Sequence, residues 1–236
     1  MIGLAFGLPG VGKTQALLDY VGALARQNRF FVVDRAGDWV PDSHRWRGVK
    51  WKRWSKEVAL LGGEGPFFVT APAPEESASW LRNLPPHGVV RFGWPWEGLD
   101  VARLVREVGN STYVDDELDF VATTSGWSTN PLRDFCHRGR HLPNAQGEVG
   151  EVHILGAARR AQSLHIDVTS LCDFAWVFRI AGHRTLERLV EDRILEDDGE
   201  AERARTQELY AYKLWRSNGE STWGQLATLK EPAFEE

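Results

Sequence analysis

Cysteine is scarce in this chain, with two residues in 236, Cys136 and Cys172. They form no C-x-x-C pair, and no cysteine–histidine cluster has zinc spacing. A disulfide scaffold and a structural zinc site are therefore excluded. Both thiols read as small buried groups in a reducing cytosol. Long apolar runs are also missing: no stretch approaches the ~20 residues of a membrane span. Residues 1–6 run straight into a glycine-rich loop, with neither the basic flank nor the cleavage site of a secretory signal. The expectation is a soluble protein without a membrane span. Positive charge is in deficit. The net charge of −5 argues against a surface that coats nucleic acid. No internal repeat and no low-complexity linker interrupts the chain.

What charge there is lies unevenly. Residues 43–56 carry six Lys/Arg and no acid, leaving 22 basic against 33 acidic residues elsewhere, a balance of −11. A local basic feature on an acidic body suits a channel or groove. Hydrophobic residues at 42% and charged residues at 26% are ordinary for a globular protein. The length fits one large α/β domain, or one domain with a small appendage. Eleven tryptophans is a heavy load, best read as core or interface anchors.

Apolar runs and helical periodicities alternate. Strands are expected at 2–6, 30–33, 66–70, 89–92, 113–114, 152–157 and 174–180. Helices are expected at 13–27, 75–84, 99–108 and 132–136. This is the α/β pattern of a mainly parallel central sheet flanked by helices. After Gly182 the composition changes. Residues 184–208 read as an exposed Arg/Glu-rich helix broken at Asp197-Asp198-Gly199. Residues 209–215 and 222–229 flank Ser217-Asn218-Gly219-Glu220, a strong hairpin signal. The division expected is a core over 1–182 and a C-terminal helix and β-hairpin appendage over 183–236.

One motif is sharp. Gly7-Leu8-Pro9-Gly10-Val11-Gly12-Lys13-Thr14 matches G-x-x-x-x-G-K-[ST] in full, between an apolar strand and an apolar-periodic helix. A triphosphate is a polyanion, so such a loop must turn backbone N–H groups inward, and glycines allow the dihedrals that do so. The helix that follows adds its positive end. Lys13 supplies charge to the β- and γ-phosphates, and the Thr14 hydroxyl is a ligand for Mg²⁺. Gly7, Pro9, Gly10, Val11, Gly12, Lys13, Thr14 and Gln15 are the candidate ATP contacts.

The partner motif is the acidic strand end Tyr113-Val114-Asp115-Asp116-Glu117. An Asp there can hold the Mg²⁺ shell beside Thr14, and a following Glu can deprotonate an attacking water. Asp116 is assigned to the metal and Glu117 to the base. A one-residue slip would put Asp115 on the metal, and Asp34, which also ends a strand, is a rival ligand. Arg45-Trp46-Arg47-Gly48-Val49-Lys50-Trp51-Lys52-Arg53-Trp54 interleaves bases with aromatics. It reads either as an edge strand with Trp51 buried or as a DNA contact through Lys50, Lys52 and Arg53. Trp94-Pro95-Trp96-Glu97-Gly98 is a rigid turn, either core packing or an adenine or subunit contact.

Three further segments extend the pattern: Val33-Asp34-Arg35-Ala36-Gly37-Asp38-Trp39, Arg138-Gly139-Arg140-His141 before a strand, and Ile154-Leu155-Gly156-Ala157-Ala158-Arg159-Arg160. With the two Walker motifs, residues 1–182 resemble the FtsK–HerA superfamily of DNA-pumping ATPases, within it the compact viral genome-packaging ATPases. The resemblance implies a RecA-like P-loop NTPase core with the two Walker strands adjacent. It also implies ATP hydrolysis, a homo-oligomeric ring on double-stranded DNA, and a capsid or portal partner. The setting would be host cytoplasm or a packaging vertex. An arginine finger in trans is implied too, with Arg140 matching best and Arg138 next. The family carries a Gln where this chain has Ala158, so Arg159, Arg160 or Gln162 stands in for the polar sensor. A small-molecule P-loop kinase, with residues 133–140 as its lid, is the competing enzymatic class, and a DNA export ATPase is a nearer variant.

Overall fold

The computed structural model describes residues 1–47, 49–53, 66–74 and 84–226. The expected helix at 75–84 lies outside these but for Leu84, as do Trp54 and the end of the second hairpin strand. In chain order the elements are β1 (Ile2–Phe6), α1 (Lys13–Leu24), β2 (Arg29–Val33), β3 (Lys52–Arg53), β4 (Phe67–Thr70) and β5 (Gly88–Phe92). There follow α2 (Gly98–Val108), β6 (Ser111–Asp115), α3 (Pro131–Arg138), β7 (Leu142–Pro143), β8 (Val149–Gly150) and β9 (Val152–Ala158). The chain closes with α4 (Ile166–Ser170), β10 (Phe174–Val177), α5 (His183–Glu191), α6 (Asp198–Thr206), β11 (Ala211–Arg216) and β12 (Ser221–Gln225). Among the described residues no helix is long and apolar enough to cross a membrane.

Ten strands form one sheet in the order β12-β11-β10-β1-β9-β6-β2-β5-β4-β3. All neighbours from β10 to β3 pair in parallel, and β11 and β12 add an antiparallel hairpin at the β10 edge. The central strands are near-continuous apolar runs because helices cover both faces. Alternation sorts their side chains: Leu4 and Phe6 of β1, with Phe31 and Val33 of β2, join the core containing α2's Val101 and Val105. Ala5, Phe30 and Val32 join the opposite core, with Leu17, Leu18 and Val21 of α1. The period of two puts one set on each face.

This order corrects one expectation. The Walker strands are not adjacent: β9 lies between β1 and β6, pairing Phe6 with Ala158 on one side and Asp115 with Gly156 on the other. Chain order alone cannot reveal a strand that arrives 37 residues after β6 ends and inserts beside it. The expected helix break also moves. α5 ends at Glu191, buried Ile194 and Leu195 dock a turn into the core, and Asp197 caps α6, accepting from the Glu200 N–H at 2.8 Å. Asp197-Asp198-Gly199 therefore opens a helix. Nor is the pair simply exposed, since Leu186, Leu189 and Ala204 are buried. The β11–β12 hairpin stands where expected. Fully buried Lys213 of β11 reaches Glu200 of α6 at 2.5 Å and binds the two elements together.

Candidate nucleotide site

Parallel strands leave their C-terminal ends along one edge, where ligands of open α/β sheets collect. The loop after β1 rises at that edge. Its N–H groups anchor it to both neighbours: Gly7 donates to the Ala158 carbonyl of β9, and Leu8 to the Arg179 carbonyl just past β10. Gly10 and Gly12 have φ of +77° and +109°, values that side-chain-bearing residues rarely adopt. Gly12 is the N-cap of α1 and offers no side-chain cap, and the first turn of the helix holds no acid. No side chain of that first turn competes for its free N–H groups, which is what an anion at a helix start requires.

Around this loop lies a cavity of about 200 Å³ lined by Pro9, Gly10, Lys13, Thr14, Asp116, Glu117 and Arg159, with Val33 to Ala36 and Asp38 as the opposite wall. Lys13 Nζ donates to the carbonyls of Gly7 and Leu8, both at 2.8 Å. Burial holds its ammonium below the ordinary lysine range, against the pull of Asp116. Thr14 Oγ1 donates to Asp116 Oδ2 at 2.5 Å, joining the loop after β1 to the end of β6 across the intervening strand. Burial raises the Asp116 carboxyl to about 6, opposed by the Thr14 bond and by Lys13. Glu117 Oε1 accepts from Arg159 Nη2 at 2.8 Å. Arg159 leaves the end of β9, so the strand between the Walker strands delivers a cation to the site.

The other candidates have other tasks. The Asp34 carboxylate accepts from the N–H groups of Gly37, Asp38 and Trp39 and from Arg91 Nε at 2.6 Å. It shapes the opposite wall rather than presenting free oxygens for a metal. Asp115 is wholly buried and bonded to Arg35, away from the Thr14–Asp116 pair. Val11 is buried in the core beneath the loop. The Gln15 side chain turns from the cavity to Asp19 and the Arg45 carbonyl, both at 2.8 Å. Gln162 accepts from Thr185 at 2.7 Å, and Arg160 is exposed outside the cavity lining. Of the three sensor candidates, only Arg159 stands in the site.

Arg138 and Arg140 are exposed at the opposite end of the sheet, since Val152 N, at the start of β9, donates to Gly139 O. Six strand residues separate that end from Ala158, about 20 Å at strand rise. Residues 133–140 therefore form no lid over the loop, and the kinase reading loses its support. Lys50, Lys52 and Arg53 are exposed at the β3 edge. Half-buried Trp51 packs on Trp46 and Phe68, with ring centroids 4.6 and 5.5 Å away. Trp96 is core, its indole N–H donating to Pro72 O at 2.7 Å, whereas Trp94 is 94% exposed. Arg35 and Asp38 are site residues that sequence reasoning did not assign. The only signal for them was their place in the loop after the second strand.

The fold and this loop define the class: the chain has the RecA-like P-loop NTPase fold, as the resemblance implied. No protein-family profile and no curated protein sequence matches it. Solved structures do. The genome-packaging NTPase B204 of Sulfolobus turreted icosahedral virus 2, in complex with ATP-gammaS, superposes with a TM-score of 0.63 at 14% identity, over 95% of this chain and 96% of that one. B204 of Sulfolobus turreted icosahedral virus, described as a DNA-packaging ATPase, gives 0.62 at 15% identity over 96% and 98%. VirB4 of Thermoanaerobacter pseudethanolicus gives 0.58 at 10% identity over 97% and 90%. At such identities the likeness is one of fold.

Proposed function

We propose that this chain is an ATP-hydrolysing motor that assembles as a homo-oligomeric ring and moves double-stranded DNA in viral genome packaging. The observation that carries the hydrolase reading is the Thr14–Asp116 bond with Glu117 next in the chain. A hydroxyl and a carboxylate converge beneath the P-loop, and hard oxygen donors of this kind suit Mg²⁺ alongside phosphate oxygens and water. Thr14 and Asp116 would hold Mg²⁺ together with the nucleotide. When bound, Mg²⁺ neutralises charge developing on the phosphates. Lys13 adds a second positive charge at the β- and γ-phosphates. Glu117 orients the attacking water and takes its proton, and Arg159 stands at the same carboxylate as a sensor of the nucleotide.

The motor reading draws support from the fold shared with B204. Arg140 is the finger that this reading assigns to a neighbouring copy, because it lies too far from its own P-loop to act there. Arg138 is the alternative finger. Lys50, Lys52 and Arg53 are the DNA-contact candidates, and a capsid or portal protein at the packaging vertex is the partner this function demands. A DNA-export ATPase is the second reading, supported by the fold shared with VirB4.

Steady-state ATP hydrolysis measured with and without linear double-stranded DNA, across protein concentrations, tests the proposal. Stimulation by DNA with a steeper-than-linear dependence on protein supports a ring with an in-trans arginine. Turnover indifferent to DNA and linear in protein would refute the motor.

A further inference from the structure

We propose that Asp115, acting with Arg35, is a positioning unit that sets Glu117 to orient the water that attacks the nucleotide; the inference rests on the ATPase reading above. A carboxylate is an acceptor with about four lone-pair sites. Those of Asp115 are all engaged: Arg35 Nη1 donates at 2.5 Å, Arg35 Nη2 at 3.2 Å, Tyr113 Oη at 2.8 Å and the Glu117 backbone N–H at 2.9 Å. The side chain has 0% exposure. No oxygen is left to face a metal, so this acid, one residue from Asp116, has a different task.

Its partners name that task. Arg35 and Glu117 both line the nucleotide cavity, and both line an adjoining cavity of about 530 Å³ next to α2. They form the partition between the two, and Asp115 holds each of them from below. The Glu117 N–H bond fixes the backbone from which the base carboxylate departs. The two-pronged Arg35 bond fixes a guanidinium that lines the same two cavities as that carboxylate. Burial and the neighbouring Asp115 charge keep the Tyr113 phenol protonated, so it remains a donor throughout. Gly98 makes room for the arrangement: a Cβ there would lie 2.8 Å from Arg35 Nη2, 3.0 Å from Tyr113 Oη and 2.6 Å from Val121 Cγ2.

The experiment compares full-length wild type with Asp115→Asn, Arg35→Gln, Arg35→Lys and Gly98→Ala. It measures kcat and KM for ATP and, separately, calorimetric affinity for Mg·ATPγS. A positioning role predicts a kcat loss on the order of 10²-fold in Asp115→Asn, the scale for a misplaced catalytic group. Affinity and KM should stay within about threefold, because binding rests mainly on the P-loop. Arg35→Gln and Gly98→Ala should lose kcat in the same sense. Arg35→Lys should recover part of it, since it keeps the charge without the fork. Should Asp115→Asn fail to fold, the Arg35 and Gly98 variants carry the comparison. A kcat within about threefold of wild type overturns the inference, as does a loss of affinity matching the loss of rate, which would make Asp115 a binding group. Wild-type turnover with unaffected variants sinks this inference alone, whereas a wild type without any turnover sinks the ATPase reading and this inference with it.

Discussion

Replacing Asp116 by Asn should stabilise the nucleotide-free protein at neutral pH while destroying its activity. Burial raises the carboxyl from 3.8 to about 6, so ionising it costs the folded state more than the unfolded one. The full difference corresponds to ~3 kcal/mol above pH 6. The side chain keeps some contact with water, which reduces the expected gain to about 1–2 kcal/mol. The sign follows from proton binding. The folded state holds this proton more tightly, so the Asp116 contribution to stability is intact near pH 4 and is lost as pH rises through 6. Asn carries no charge, and its amide oxygen still accepts from the Thr14 hydroxyl. Urea unfolding followed by tryptophan fluorescence, at constant ionic strength with chelator and without nucleotide, measures the difference. The Asp116→Asn variant should gain about 1–2 kcal/mol at pH 7.5, and the gain should shrink towards zero by pH 4. Hydrolysis by the variant should be lost at every pH, because the carboxylate proposed for Mg²⁺ is gone. A variant no more stable at pH 7.5, or a gain independent of pH, would refute the account of Asp116 as a strained buried acid.

Lys13→Ala should abolish nucleotide binding in a calorimetric titration, since it removes the cation inside the P-loop. Glu117→Gln should bind ATP with near wild-type affinity yet fall on the order of 10²–10⁴-fold in turnover; normal turnover would unseat the base assignment. Arg140→Ala should keep binding while losing roughly 10³-fold or more in rate. Mixing it with Lys13→Ala subunits should restore turnover, because each would supply what the other lacks; no recovery counts against a finger at this position. Neutralising Lys50, Lys52 and Arg53 together should flatten the salt dependence of DNA binding by roughly three in the log–log slope, and an unchanged slope would discard that contact.

Local rules already specify much of this protein in one dimension. The P-loop is legible because phosphate chemistry demands particular residues at fixed spacing within eight positions. The strands around it are legible because burial on both faces demands apolar runs, as at Phe30 to Val33. The hairpin at Asn218-Gly219 is legible because Gly219 takes a φ of +90° that few other residues tolerate. The acidic run at the end of β6 was readable too, but only the Thr14 bond separates Asp116 from Asp115, the last residue of the strand. Tertiary structure decided what depends on residues far apart in the chain. Strand order put β9 between the Walker strands and thereby brought Arg159 to Glu117, 42 residues away. Packing gave these two adjacent acids different partners, with Asp115 turned into Arg35 and Tyr113 and Asp116 to the cavity. Long-range bonds also hold Arg140 at the far end of the sheet and turn the Gln15 side chain to the Arg45 carbonyl. A sequence records which groups are present and their local periodicity, but which of two neighbouring carboxylates is charged, paired or free depends on the donors that long-range packing places around each.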